Sequence, residues 1–263
     1  MSAPTSPSAV ARPALPVESV AAHPSVAAPA PERPLKVGGL TPFTATDYPG
    51  KLAAVVFVSG CPWRCGYCHN PHLQTRVGDA PLEWREVMAR LQRRVGLIDA
   101  VVFSGGEPTI DPALGEAMRE VRALGLGVGL HTAGAYPRRL QEVLPLVDWV
   151  GMDIKALAQH YDAITRIADS ARHALASAEL VLASGVAHEF RTTVHPDLHT
   201  SADILALAQS LQAMGVRHYA LQVFRATGCA QGPLHGAALA GFPDADCLAR
   251  VAALFDTFTL RQE

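Results

Sequence analysis

A chain of 263 residues that is 49% hydrophobic and 17% charged can bury one large core, and single α/β barrels reach this size. Its formal net charge of -2 leaves no basic excess for nucleic acid or for an anionic membrane surface. No apolar run is long enough to span a bilayer, and the first residues lack the basic and apolar regions of a secretory signal. The expectation is a cytoplasmic protein whose thiols stay reduced.

Residues 1–34 alternate Ala, Pro, Ser and Val without periodicity, as in Ala27-Ala28-Pro29-Ala30-Pro31. Such a stretch buries too little apolar surface to offset its ordering entropy, so a disordered extension is expected ahead of a catalytic domain over 35–263. Leu35 to Leu40 reads as a short strand, and Thr41 to Gly50, punctuated by Pro42, Pro49 and Gly50, as loop and turn. Asp47 and Tyr48 read as turn chemistry and rim packing. The apolar run Ala53 to Val58 predicts a buried strand. Directly after it stand Cys61, Cys65 and Cys68.

Further on, Trp84, Val87, Met88, Leu91 and Val95 recur at helical spacing, placing Arg85, Arg90, Arg93 and Arg94 toward solvent. Asp99 to Phe103 is the next strand, ending in Ser104-Gly105-Gly106-Glu107-Pro108. Asp111-Pro112 then reads as the N-cap and first position of a helix carrying Leu114, Met118 and Val121. The alternation continues with a strand at Gly127 to His131, a helix from Arg138 to Leu146, and a strand at Trp149 to Met152 that ends in Asp153-Ile154-Lys155. A helix over 169–184 precedes a strand at His188 to Val194 that ends at His195. A helix capped by Ser201, a strand at Tyr219 to Phe224 and a last helix from Pro243 to Phe255 complete the chain.

Counted from Ala53, six strands are each followed by a helix, which predicts a parallel sheet with right-handed crossovers. Six such units curl into an incomplete (β/α)6 barrel, where eight would close one. The cysteine loop, Gly105 to Glu107, His131 to Gly134, Asp153 to Lys155, Arg191 to His195 and Gln222 to Arg225 then share the carboxyl rim, the end at which α/β folds carry chemistry.

Three thiolates at the spacing CxxxCxxC hold three irons of a [4Fe-4S] cluster and leave the fourth open, as a catalytic metal site requires. A Cys3His zinc site with His69 or His72 is an alternative, as are unrelated buried thiols. A disulfide framework is disfavoured by the odd total of five cysteines. Cys247 reads as core, and Cys229, beyond the sixth strand, as a plain thiol.

The cysteine motif, with Tyr67 before its third thiol, together with Gly105-Gly106-Glu107-Pro108 on the next strand, resembles the radical S-adenosylmethionine superfamily. The runs Gly38 to Phe43, Asp47 to Lys51, Tyr67 to Pro71 and Met152 to Lys155 resemble the anaerobic ribonucleoside-triphosphate reductase activating proteins, relatives of the pyruvate formate-lyase activating enzyme. The resemblance covers residues from Leu35 onward. It implies that Cys61, Cys65 and Cys68 each hold one iron while the amine and carboxylate of S-adenosylmethionine chelate the fourth. It also implies reductive cleavage of that cofactor to methionine and a 5′-deoxyadenosyl radical. Gly105, Gly106 and Glu107 would receive the methionyl amine, Tyr67 and His69 would pack near the adenine, and Asp153, Lys155 and Arg191 would reach the ribose or carboxylate. Where relatives often carry Thr-Asn-Gly after the third strand, this chain has Thr132-Ala133-Gly134, so Ala133 is assigned no role. The implied partner is the glycyl-radical subunit of anaerobic ribonucleoside-triphosphate reductase, with flavodoxin or ferredoxin as electron donor. A radical enzyme acting on a small molecule, such as a deazapurine synthase, and a zinc-stabilised binding module are the rival expectations.

Overall fold

The computed structural model describes residues 33–76, 81–229, 234 and 239–262; residues 1–32 of the expected extension lie outside them. One sheet takes its strands in chain order: β1 (Val37–Thr44), β2 (Ala53–Val58), β3 (Ala100–Gly105), β4 (Gly127–Thr132), β5 (Trp149–Asp153), β6 (Ala187–Val194), β7 (His218–Val223) and β8 (Thr257–Arg261). β1 is antiparallel to β2, and every later neighbour is parallel. Crossovers carry α1 (Trp84–Gln92), α2 (Leu114–Ala123), α3 (Pro137–Val143), α4 (Ala158–Thr165), α5 (Ser170–Ser184), α6 (Ser201–Ala213) and α7 (Ala245–Ala252). The six expected βα units are β2 to α7, and the sheet ends at β1 and β8 without joining them. This is the incomplete barrel.

The period of two decides which side chains reach its interior. Ala54, Val56 and Val58 of β2 join Val101, Val128, Leu130, Val150, Met152, Phe190 and Leu221 in the large core under the helices. Their neighbours point the other way: Ala53, Val55, Ala100 and Val102 make a separate small cluster with Tyr48 and Phe57. Along β4 to β6 the inward positions other than Trp149 are small or polar, and Trp149 sits at the amino end of β5, so space remains at the carboxyl end. Gly151 is one such position. A Cβ there would stand 2.8 Å from Nη1 of Arg191, so only glycine lets that guanidinium lie flat against the strand.

Several element boundaries differ from expectation for identifiable reasons. β1 runs on through Pro42 to Thr44, because it is an edge strand and proline needs no ladder donor there. Val95 is 48% exposed rather than on the inner stripe, since α1 stops at Gln92. Asp111 does accept the Ala113 amide at 3.0 Å, but its other oxygen takes Arg76 at 2.9 Å and the Lys36 amide at 3.0 Å. The helix therefore starts at Leu114, after a 3-10 turn at Pro108–Ile110. Thr200, not Ser201, caps α6, in a capping box with Asp203. The last helix is shorter than predicted, capped by Asp244, and gives way to β8, which the sequence reading lacked. Among the described residues no helix is long and apolar enough to cross a membrane.

Candidate active site

The loop leaving β2 is pinned at four backbone points before its thiols can act. The Ser59 amide donates to Lys36 O at 2.9 Å, Gly60 to Leu73 O at 2.7 Å, Cys61 to Gln74 O at 3.1 Å and Arg64 to Thr165 O at 2.8 Å. Buried Trp63 anchors the loop against Tyr161, edge to face at 5.8 Å. Cys61, Cys65 and Cys68 stay half-buried and free of disulfides, on the wall of a cavity of about 410 Å³. Burial first, then the charge of Glu107, pushes the Cys61 thiol up to about 12, and burial also raises Cys65 although Lys155 opposes it. Metal loading must therefore displace protons from the loop.

The exit of β3 lies against this loop. The Gly106 amide donates to Val58 O at 3.0 Å and the Glu107 amide to Gly60 O at 2.8 Å. A Cβ on Gly106 would be driven into the Gly60 carbonyl and would stand 2.9 Å from the Leu73 carbonyl oxygen. All of those atoms are backbone, which cannot swing aside. Gly106→Ala is expected to lower the unfolding free energy by about 3 kcal/mol or more in urea denaturation of the metal-free protein. A loss under 1 kcal/mol would mean that the two exits are not packed this closely.

Glu107 is fully buried, and it does not line the cavity. Its Oε1 accepts from the Thr109 amide at 3.1 Å, the Thr109 hydroxyl at 2.6 Å and the Thr132 hydroxyl at 2.7 Å, while Oε2 accepts from the Ala133 amide at 2.9 Å. These bonds brace the β3 exit to the β4 exit. Ala133, assigned no role from its side chain, takes part through its backbone.

The floor of the cavity is an ion trio. Asp153 accepts from Lys155 Nζ and from Arg191 Nε, each at 3.0 Å. Burial would raise the Asp153 carboxyl, but the two cations outweigh it and hold it well below the usual carboxylate range. Burial likewise opposes charge on Lys155, and Asp153 more than restores it. One anion against two cations leaves the floor positive. Nη1 of Arg191 lies 3.3 Å from His131 Nε2, which lies 2.8 Å from the Asp47 carbonyl. One ring nitrogen cannot donate and accept at once, so the shorter contact assigns it the proton, donated to Asp47. Burial, then Arg191, lowers the His131 pKa to about 3.

That shift has a definite sign. Above pH 6.5 His131 is neutral folded or unfolded and contributes nothing to pH dependence. Below it the unfolded chain takes up a proton that the folded chain refuses, so stability falls as pH falls toward 3. Each pH unit costs about 1.4 kcal/mol, or roughly 2–3 kcal/mol between pH 6.5 and 4.5. His131→Gln is expected to reduce the slope of unfolding free energy against pH in that window by about one proton. An unchanged slope would place the titration elsewhere.

Of the residues singled out from sequence, the cysteines, Tyr67, His69, Gly105, Gly106, Asp153, Lys155 and Arg191 all border the one cavity. Tyr67 is buried beneath Lys155, whose Nζ lies 5.7 Å from the ring centroid, and its hydroxyl has no hydrogen-bond partner among the described residues. His195 follows β6 at the rim but does not line the cavity: it is fully buried, edge-on to Phe224, with Nε2 2.9 Å from Leu234 O. Cys229 donates to the Tyr67 carbonyl at 3.3 Å without lining the cavity, and Cys247 is core, as expected. Asp47 and Arg261 were not anticipated. Asp47 was read as turn chemistry, and Arg261 belongs to the missed β8, where it grips both oxygens of Glu189 at 2.8 and 3.0 Å. The alternation Thr257-Phe258-Thr259-Leu260-Arg261 was the available signal.

The donor set fits a [4Fe-4S] cluster. Three free thiols, each bordering the same cavity, would supply three iron ligands and leave the fourth position of the cluster for another group. The description of the Radical SAM superfamily matches residues 55–218, from β2 to the start of β7. A Methanocaldococcus jannaschii protein named provisionally as a glycyl-radical enzyme activating enzyme is 29% identical over 197 residues, spanning 72% of this chain and 79% of that one. The 7-carboxy-7-deazaguanine synthase of Methanopyrus kandleri is 30% identical over 126 residues, spanning 40% of this chain and half of that one. Among solved structures, Streptococcus suis SuiB bound to precursor peptide SuiA superposes with a TM-score of 0.59 at 13% identity, over 79% of this chain and 48% of that one. The superfamily match covers more than half of the chain and takes in the cysteine loop, the β3 exit and the ion trio, and with it the closed zinc module falls away. The chain belongs to the radical SAM superfamily, whose enzymes work with a [4Fe-4S] cluster and S-adenosylmethionine.

Proposed function

We propose that this chain, through a catalytic domain over 35–263, is a glycyl-radical enzyme activase whose partner is anaerobic ribonucleoside-triphosphate reductase. The observation that carries the reading is where the cavity ends. Starting at the thiols it crosses the ion trio and reaches Thr46 and Asp47, just past β1, and Arg261 at the tip of β8. β1 and β8 are the two sheet edges that do not meet, and we read the gap between them as the side from which the cavity is entered. A loop of a large partner can enter there. The likeness to a relative named for this activity, over 72% of the chain, supports the same reading.

When bound, the cluster and S-adenosylmethionine supply reductive cleavage of a carbon-sulfur bond and a 5′-deoxyadenosyl radical. The chain supplies position and dryness. Cys61, Cys65 and Cys68 would hold three irons. Lys155 and Arg191, held rigid by Asp153, would meet a carboxylate or ribose hydroxyls. The carbonyls at Gly105 and Gly106 would take an amine, and Tyr67 and His69 would flank the adenine. Asp47 and Arg261 stand at the substrate end, where backbone amides and carbonyls of an incoming glycine loop need partners.

The test is anaerobic reconstitution, reduction, and addition of S-adenosylmethionine with the host's anaerobic reductase. A glycine-centred doublet on the reductase by electron paramagnetic resonance, with 5′-deoxyadenosine formed, is the expected result. Nucleoside without that doublet would favour a small-molecule substrate, a reading supported by the likeness to the deazaguanine synthase. Cys65→Ala is expected to lose the cluster absorbance and at least a hundredfold of the cleavage activity. Retention of both would overturn the ligand assignment.

A further inference from the structure

Among the described residues five large apolar side chains are exposed: Phe43, Leu52, Val95, Leu97 and Ile167. Four of them lie at the amino ends of β2 and β3, away from the thiols. Ile167, 38% exposed, is the exception. It follows α4, whose last residue, Thr165, accepts the amide of Arg64 in the cysteine loop.

This corner is built rigidly. Arg166 and Asp169 both hold left-handed backbone, at φ 58° and 61°, a conformation that non-glycine residues keep only when their surroundings impose it. The imposing contacts are visible: Asp162 accepts from the Asp169 amide at 2.8 Å, the Ser170 amide at 3.0 Å and the Ser170 hydroxyl at 2.9 Å. They present Arg166 to the cysteine loop, with its Nη2 3.5 Å from where a Cβ on Gly66 would sit. Arg64 folds over the same loop, its Nη1 donating to the carbonyls of Cys61 at 2.6 Å and Trp63 at 2.9 Å. Arg64, Gly66, Arg166 and Ile167 are all exposed.

Gly66 is exposed and is the covalent neighbour of Cys65, two residues from Cys68, so the path along the chain from solvent to two of the three thiols is short here. Gly66, Arg64 and Arg166 do not border the cavity, which is the place proposed above for S-adenosylmethionine and substrate. Arg64, Arg166 and Arg172 outnumber Asp162 and Asp169, and the acids are engaged, Asp162 by backbone amides and Asp169 by Arg172 at 2.8 Å. The patch is therefore positive at its rim and apolar at Ile167.

We infer that this outer face of the cysteine loop, centred on Gly66 and formed by Arg64, Arg166 and Ile167, is where a small acidic one-electron carrier docks to reduce the cluster. The inference rests on the reductive chemistry given under Proposed function. One electron leaves the carrier, which is oxidised, and enters the cluster, which is reduced; no bond or proton moves in this step. Electron transfer slows steeply with the thickness of protein between centres, so the short path from exposed Gly66 to Cys65 matters more than the area buried. Small, charge-steered contacts are the usual form of such encounters.

The experiment compares two reductants on the loaded enzyme carrying Arg166→Glu with Ile167→Asp, neither residue bordering the cavity. With reduced flavodoxin, 5′-deoxyadenosine formation at low salt is expected to fall at least tenfold, while the dithionite-driven rate stays within twofold. Flavodoxin binding, followed by flavin fluorescence, is expected to weaken by a similar factor, and added salt should narrow the gap between parent and variant. Unchanged flavodoxin binding and rate would overturn the docking site, and so would equal losses with both reductants, which would mark the patch as structural. If the unsubstituted chain cleaved nothing with dithionite, the reductive reading beneath the inference would fail instead.

Discussion

Glu107→Ala is expected to lower the unfolding free energy of the metal-free protein by about 3 kcal/mol or more, read from urea denaturation at pH 7. The carboxylate is fully buried and receives four hydrogen bonds, from the Thr109 amide and hydroxyl, the Thr132 hydroxyl and the Ala133 amide. Alanine would strand two backbone amides in a dry site, and an unsatisfied buried donor costs about 1–3 kcal/mol. Glu107→Gln keeps the shape but points an NH2 at a donor, so it should lose part of the same amount. A carboxylate serving only as a ligand for an amine would behave differently: the variant would unfold like its parent and lose only affinity for S-adenosylmethionine. That pattern would overturn the bracing role.

The second large effect is expected at Asp153. Asp153→Asn leaves Lys155 and Arg191, side chains 11% and 10% exposed, as two neighbouring cations without their counter-charge. Breaking a buried pair on one side typically costs about 3–5 kcal/mol, because the surviving charge stays in the low-dielectric interior. Two survivors repel as well. Removing a cation from that background, by Lys155→Met, is expected to restore part of the loss, which a double-mutant cycle would show as coupling. The folded pKa of Asp153 lies below its unfolded value, so its contribution is present above about pH 4 and fades as pH falls further. Parent and variant should converge in acid. A constant difference from pH 7 down to pH 2 would mean that packing, not charge, held the trio.

How far these sites were legible depended on whether the signal was local. The cysteine spacing, the glycines after β3 and the Asp153-Ile154-Lys155 exit are short words at strand ends, and the strands themselves announce their period. That was enough to place every one of them but Glu107 on one cavity. The bracing bonds of Glu107 were not legible because its partners, Thr132 and Ala133, sit a strand away, and no spacing in the chain says that the two exits touch. His195 has the same history: nothing in His195-Pro196 reveals Phe224 closing over it. β8 was missed because five residues of alternation follow a helix predicted three residues too long. With it went Arg261 and its place in the cavity lining.

Because strand order in the sheet repeats strand order in the chain, each new strand during synthesis finds its neighbour already made. Pairing can so proceed from the amino end, although each parallel pair must first close a crossover and forms slowly for that reason. The thiol loop therefore emerges early, while Lys155, Arg191 and above all Arg261 come much later. For most of the time on the ribosome the three thiols stand in an unfinished site, open to water on the side that the later strands will cover. Productive assembly of the cofactor belongs after the last strand has docked, and a chain truncated before β8 would present the same three thiols without the shelter that makes their chemistry selective.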